Sequence, residues 1–175
     1  MLDENEFLAP GGIRSLSKYH LEHPRHYSHG DKNYDIGYDP AESTTNMFGG
    51  NSNWRGPVWL PMNYLLIKAL KKYHGFYGDQ FKMEYPTGSG NWLNLGEISN
   101  ELAKRIISIF RKDAMGNRPV NHDHAEFYNR PENRELVLFY EYFHGDNSRG
   151  VGASHQTGWT ALVAELINDD AWEWE

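Results

Sequence analysis

The chain contains no cysteine, which excludes a disulfide framework, a thiol nucleophile and a thiolate metal site together. It is also poor in basic charge. Lys and Arg number 17 against 24 Asp and Glu, and with a formal charge of -7 no basic run exists to neutralise a phosphate backbone, so nucleic acid is not the expected partner. No apolar run approaches the roughly 20 residues of a membrane span. The first ten residues carry Asp3, Glu4 and Glu6 where a secretory leader would be basic. A cytoplasmic chain without membrane association is expected. Asn-x-Ser/Thr is absent too, in keeping with that reading.

What is present is aromatic. Apolar residues make up 39% of 175, enough for one folded core, and aromatics reach 14%, many of them in connecting stretches where a core does not need them. A negative surface rich in Trp and Tyr suits a neutral polyhydroxylated ligand, whose C–H faces pack on rings while its hydroxyls meet carboxylates and amides.

Three segments carry helical periodicity. Pro61 to His74 sets Leu66, Ile67 and Leu70 opposite Lys68, Lys71 and Lys72, with Gly75 and Gly78 as terminators. Leu95, Ile98, Leu102, Ile106 and Ile109 define the second helix; Asn94 caps it, Glu97 completes a capping box, and Arg111 and Lys112 suit its C-terminal pole. The third runs from Thr157 to Asn168, with Trp159, Leu162, Val163 and Leu166 inward. The first fifty residues read as loop, with turn signals at Pro10-Gly11-Gly12, His29-Gly30-Asp31 and Asp39-Pro40. The long connection from Asp113 to His155 has an apolar centre, Leu136 to Phe143, readable as a buried strand or a helical turn. Few strands are expected, so the predicted class is all-α, with the active surface made by loops at one end of a helical array.

Two groups could carry chemistry. Asn51 to Trp59 places Trp54 and Trp59 around Arg55 just ahead of the first helix: a sugar platform, or simply a core staple. Phe139 to Asp146 sets Glu141 among aromatic rings, where desolvation raises a carboxyl pKa, or where the residue is only a partly exposed Glu on a strand. Glycoside hydrolysis needs two carboxyl groups, and Glu141 suits either role. His20, His23, His26 and His29 recur every three residues, and His122-Asp123-His124 follows later, but Pro24 breaks any helix aligning the first set, so no metal is expected. Gly88-Ser89-Gly90 lacks the Lys-Ser/Thr of a phosphate loop, and no G-x-S-x-G elbow occurs.

Three stretches, FLAPGGIRSLSKYH (7–20), NWRGPVWLPMNYL (53–65) and GASHQTGWTALVA (152–164), resemble the ordered C-terminal motifs of glycoside hydrolase family 63. The resemblance spans nearly the whole chain. It implies that residues 1–175 are the C-terminal portion of an incomplete (α/α)6 barrel in an inverting enzyme acting on α-glucosides or related small glycosides. It places Glu141 as general base and Trp54, Arg55, Trp59 and Trp159 as substrate contacts, with no cofactor. The family's general acid lies far upstream, and no such motif is recognisable in Met1 to Asp39. The isolated chain is therefore expected to be nearly inactive, with the rest of the barrel supplied by another chain or by a second copy. The alternative is a noncatalytic sugar-binding or assembly piece.

Overall fold

In the computed structural model, residues 1–45 and 53–171 are described, without the side chains of 170 and 171. Asn51 and Ser52 of the predicted Trp-Arg cluster lie outside these residues. The core gathers around two helices, α1 (Leu60–Tyr77) and α2 (Leu95–Ser108). Helix α1 starts with Pro61 in its first turn, where the missing N–H costs nothing. Leu60, Asn63 and Ile67 are its buried face. Gly75 lies inside the helix rather than ending it; Gly78 is the cap, its amide donating to the His74 carbonyl.

Helix α2 begins as its sequence predicts. The Asn94 side chain accepts the Glu97 amide at 2.9 Å, and Glu97 Oε2 accepts the Asn94 amide at 2.7 Å. Ile98, Leu102, Ile106 and Ile109 are fully buried, each contributing about 1.5–3 kcal/mol. Ser99 Oγ donates to the Ile67 carbonyl and ties α2 to α1. Replacing Asn94 by Ala should lower stability by about 1 kcal/mol in urea denaturation, because the Glu97 amide loses its acceptor.

The expectation of an all-α chain, a helical piece of an (α/α)6 barrel, is overturned. Among the described residues four two-stranded antiparallel sheets accompany the helices: β1–β2 (Leu8–Ala9, Gly12–Ile13), β3–β4 (Arg25–His29, Lys32–Ile36), β5–β6 (Lys82–Glu84, Trp92–Asn94) and β7–β8 (Tyr142–Phe143, Gly150–Val151). Two of these hairpins fall in the N-terminal stretch expected to be loop. His29 pairs with Lys32, so Gly30-Asp31 forms a two-residue hairpin turn, with Gly30 at φ +59° supplying the left-handed backbone. Both strands are largely solvent-exposed, so no apolar alternation marks them. Of Leu136 to Phe143, only the last two residues pair as a strand. The expected third helix is split into α4 (Thr157–Thr160) and α5 (Val163–Ala171). Lys68 of α1 reaches Glu165 at 2.9 Å and Asp169 at 2.6 Å on α5. The short helix α3 (Ala125–Tyr128) follows a 3-10 turn at Pro119–His124.

One backbone junction organises the molecule. Val58 bridges Arg14 on one side and Phe143 on the other, exchanging amide–carbonyl bonds of 2.8 and 2.9 Å with Phe143. The Ser15 amide donates to the Pro57 carbonyl at 3.0 Å, and the Gly145 amide to that of Pro40 at 2.9 Å. Segments far apart in sequence are thereby sewn together directly beside Trp59.

Candidate active site

Trp59, at the N-terminal end of α1, is 2% exposed and forms the middle of a ring stack. Trp54 lies flat on one face at 3.9 Å with an interplanar angle of 3°, and Tyr142 of β7 covers the other at 4.5 Å and 19°. Trp159 of α4 meets Trp59 edge-on at 5.7 Å and 80°. Such pairs are each worth about 0.5–1.5 kcal/mol beyond the area they bury. Trp59 Nε1 donates to the Asn53 carbonyl, so the indole is fixed at both its face and its edge. Trp54 remains 46% exposed on this rigid base. Together with Trp59, Met62, Arg14, Ile13 and Ser15 it lines a cavity of about 350 Å³.

Glu141 enters through Trp159, whose Nε1 donates to the Glu141 carbonyl at 3.0 Å. The carboxylate is held by its own strand neighbours: Oε2 accepts the Ala153 amide at 3.0 Å, and the Glu141 amide donates to the Ala153 carbonyl at 2.9 Å. Gly152 makes room for this turn. Its φ is +73°, and a Cβ there would stand 2.6 Å from Glu141 Oε2. Gly152→Ala should therefore displace the carboxylate as well as strain the backbone, and the loss should show in activity assays and in thermal melting alike.

The four Trp and Glu positions are thus linked by ring contacts and one hydrogen bond, but the cavity under Trp54 does not include Glu141 or Trp159 in its walls. Arg55 faces inward instead. It is 5% exposed, and its Nη2 donates to Asp39 Oδ2 at 3.0 Å, with Ser43 and Thr45 hydroxyls at 3.3 and 3.4 Å. Its Nε is buried without a partner among the described residues. Asn53 Nδ2 also bonds the Asp39 and Ala41 carbonyls, so the stretch from Asp39 to Thr45 is braced against the Trp-bearing segment.

Sequence reasoning missed the carboxylates of this loop. Burial, then the negative charges of Glu42, Glu141 and Asp39, hold the Tyr142 phenol well above its ordinary pKa, so it stays protonated. Arg149 lies between Glu42 at 3.6 Å and Asp123 at 3.0 Å. Nothing local in the sequence marks these residues, because their partners lie well beyond one turn of chain, sixteen positions away for Asp39 and farther for Glu42 and Asp123. The histidines disperse: His26 bonds Asp35, His122 bonds Asp123, and His20 bonds the His23 carbonyl. Among the described residues no three His, Asp or Glu side chains converge as metal ligands, and no helix is long and apolar enough to cross a membrane.

A carboxylate segment anchored to a Trp stack is an arrangement suited to sugars. Residues 1–160 match the family described as the mannosylglycerate hydrolase MGH1-like glycoside hydrolase domain, and the chain belongs to that family. The resemblance to glycoside hydrolase family 63 read from the three motifs holds. The chain is 52% identical over 97% of its length to an uncharacterized protein of Saccharomyces cerevisiae, covering 16% of that protein. It is 25% identical over 96% of its length to a probable mannosyl-oligosaccharide glucosidase of Schizosaccharomyces pombe, covering 14% of it. It is 30% identical over 76% of its length to a mannosyl-oligosaccharide glucosidase of Saccharomyces cerevisiae, covering 13% of it. The chain thus spans about a sixth or less of the length of these relatives.

Proposed function

We propose that this chain supplies the base side of an inverting glycoside hydrolase acting on α-glucosides or related small glycosides. Glu141 takes a proton from water on the sugar face opposite the leaving group, while Trp54 presents the exposed ring face and the buried Trp59, with Trp159 at its edge, holds that ring in place. The observation that carries this reading is the Trp159 indole bonded to the Glu141 backbone, which couples the position of the carboxylate to the stack. Arg55 acts from behind, by holding Asp39 and its loop in place. The acid that protonates the leaving oxygen is supplied from outside this chain. In the inverting geometry it stands roughly 6.5–9.5 Å from the base, leaving space for the water.

The reading is tested on a polypeptide of the full length of the relatives that includes this chain. With an aryl α-glucoside as substrate, proton NMR should record the β-anomer as the first sugar formed. First formation of the α-anomer would exclude inversion. Without an acid, the isolated 175-residue chain should turn over the same substrate about a hundred to ten thousand times more slowly.

A second reading is favoured by the separation of Glu141 from the Trp54 cavity: a noncatalytic sugar-binding piece. Glucose that shifts Trp fluorescence, with turnover indifferent to Glu141, would establish it.

A further inference from the structure

The cavity of about 350 Å³ under Trp54 sets Ile13, Met62 and Leu66 beside the two indoles. Its polar wall residues are Arg14, Asn63 and Ser15, and the first two are already committed within the protein. Asn63 is buried; its Oδ1 accepts the Ile13 amide at 2.7 Å, and its Nδ2 donates to the carbonyls of Ile13 and Trp59, both at 3.0 Å. Arg14 sends its guanidinium to the Leu8 and Gly145 carbonyls, the Tyr38 hydroxyl and Asp146, so its methylene stem is what it brings to the wall. The Trp59 N–H is held by the Asn53 carbonyl. Two polar groups are left, the Ser15 hydroxyl and the Trp54 indole N–H, and both belong to exposed residues.

A pyranose carries a hydroxyl on most of its carbons, and each one taken from water without a partner is destabilising. This hole would desolvate several hydroxyls and answer one or two. An alkyl or aryl group loses no hydrogen bond on entering, and each methylene it buries is worth about fourfold in affinity. The volume lies at the lower end of the range of small-molecule sites.

The position of the base agrees with an apolar occupant of this kind. Neither Glu141 nor Trp159 contributes to the wall. In an inverting reaction the base holds its water on the sugar face opposite the leaving group, so a pocket set apart from the base suits the departing group. The same separation that a noncatalytic reading would use is what a leaving-group pocket requires.

We propose that the sugar lies on the exposed Trp54 ring and that the cavity beneath takes an apolar aglycone, which makes the substrate a glycoside of an alkyl or aryl alcohol. This rests on the reading of the chain as part of a glycosidase and adds to it the chemistry of the leaving group.

The test is a titration of the 175-residue chain with methyl, butyl and hexyl α-D-glucopyranosides, read by Trp fluorescence and by the methionine methyl resonances. Affinity should rise at least tenfold from methyl to hexyl, with the Met62 methyl shifting on the hexyl glucoside and those of the exposed Met83 and Met115 unmoved. Leu66→Gln should lower the hexyl-to-methyl affinity ratio severalfold, and an unaltered ratio overturns the proposal. Should that variant fail to fold, Met62→Gln, at an exposed position of the wall, decides by the same ratio. Equal affinity for the three glucosides overturns the proposal while leaving the proposed function standing, and assigns the hole to an apolar side chain of a partner polypeptide. Methyl shifts at Met62, Met83 and Met115 alike would mark unspecific adsorption of the alkyl chain and overturn it as well. If hexanol binds as tightly as the hexyl glucoside and the methyl glucoside leaves the indoles unmoved, the sugar platform falls, and the proposed function with it.

Discussion

Replacing Glu141 by Gln in a polypeptide of the relatives' full length should reduce kcat by about a hundred- to ten-thousand-fold, while sugar affinity at the Trp stack changes little. The amide is nearly isosteric with the carboxylate and keeps an oxygen to accept the Ala153 N–H, so the turn around Gly152 survives. What it loses is the capacity to take a proton. Trp54→Ala should do the converse. It removes the exposed ring of the stack and should weaken sugar binding, while the Glu141 amide and carbonyl remain bonded to Ala153 and Trp159. Unchanged turnover in Glu141→Gln would exclude the base assignment, and loss of binding in the same variant would mean that the residue grips the sugar instead.

Glu141 is a candidate on the sequence because of where its signals lie. Its aromatic neighbours are adjacent in sequence, and a local pattern is what sequence reasoning reads well. Helix α2 was legible for the same reason: Asn94, Glu97 and the apolar positions from Leu95 to Ile109 all act within four residues of one another. The hairpin at Gly30-Asp31 was not, because its strands bury little and only their cross-strand partners define them. Arg55 shows the limit for side chains. Its place between two Trp residues suggested contact with a ligand, yet the guanidinium turns inward because Asp39, sixteen positions earlier, offers the stronger partner.

Arg14 is the most consequential of the residues without a local signal. It sits in a glycine-rich stretch with nothing around it to suggest a role, and it is 5% exposed. Its Nη1 donates to the carbonyls of Glu4, Glu6 and Leu8, its Nε to the Gly145 carbonyl and the Tyr38 hydroxyl, and its Nη2 to Asp146 at 3.2 Å. One buried cation thus fastens the N-terminal turn to the loop that follows the Glu141 strand. Arg14→Met would fill much of the volume but strand those acceptors, and the expected cost is about 3–5 kcal/mol, or on the order of 10 °C in Tm. Activity should fall with it, since the loop from Gly145 to Ser148 anchors β7 and β8.

Its partner predicts a pH dependence. Burial pushes the Asp146 carboxyl up, but hydrogen bonds from Lys18 and Tyr38 and the charges of Lys18 and Arg14 outweigh it and hold the group below the ordinary carboxylate value. The unfolded chain therefore takes up a proton near pH 4 while the folded one does not. Asp146 contributes its full stability above that pH and loses it as the pH falls through the lower folded value. In denaturation series, Asp146→Asn should be weaker than the parent at pH 7 and converge with it as the pH falls through the lowered folded value of the carboxyl, whereas Arg14→Met should remain destabilised throughout. A constant gap between Asp146→Asn and the parent across that range would show that the carboxylate charge is not what fastens the loop.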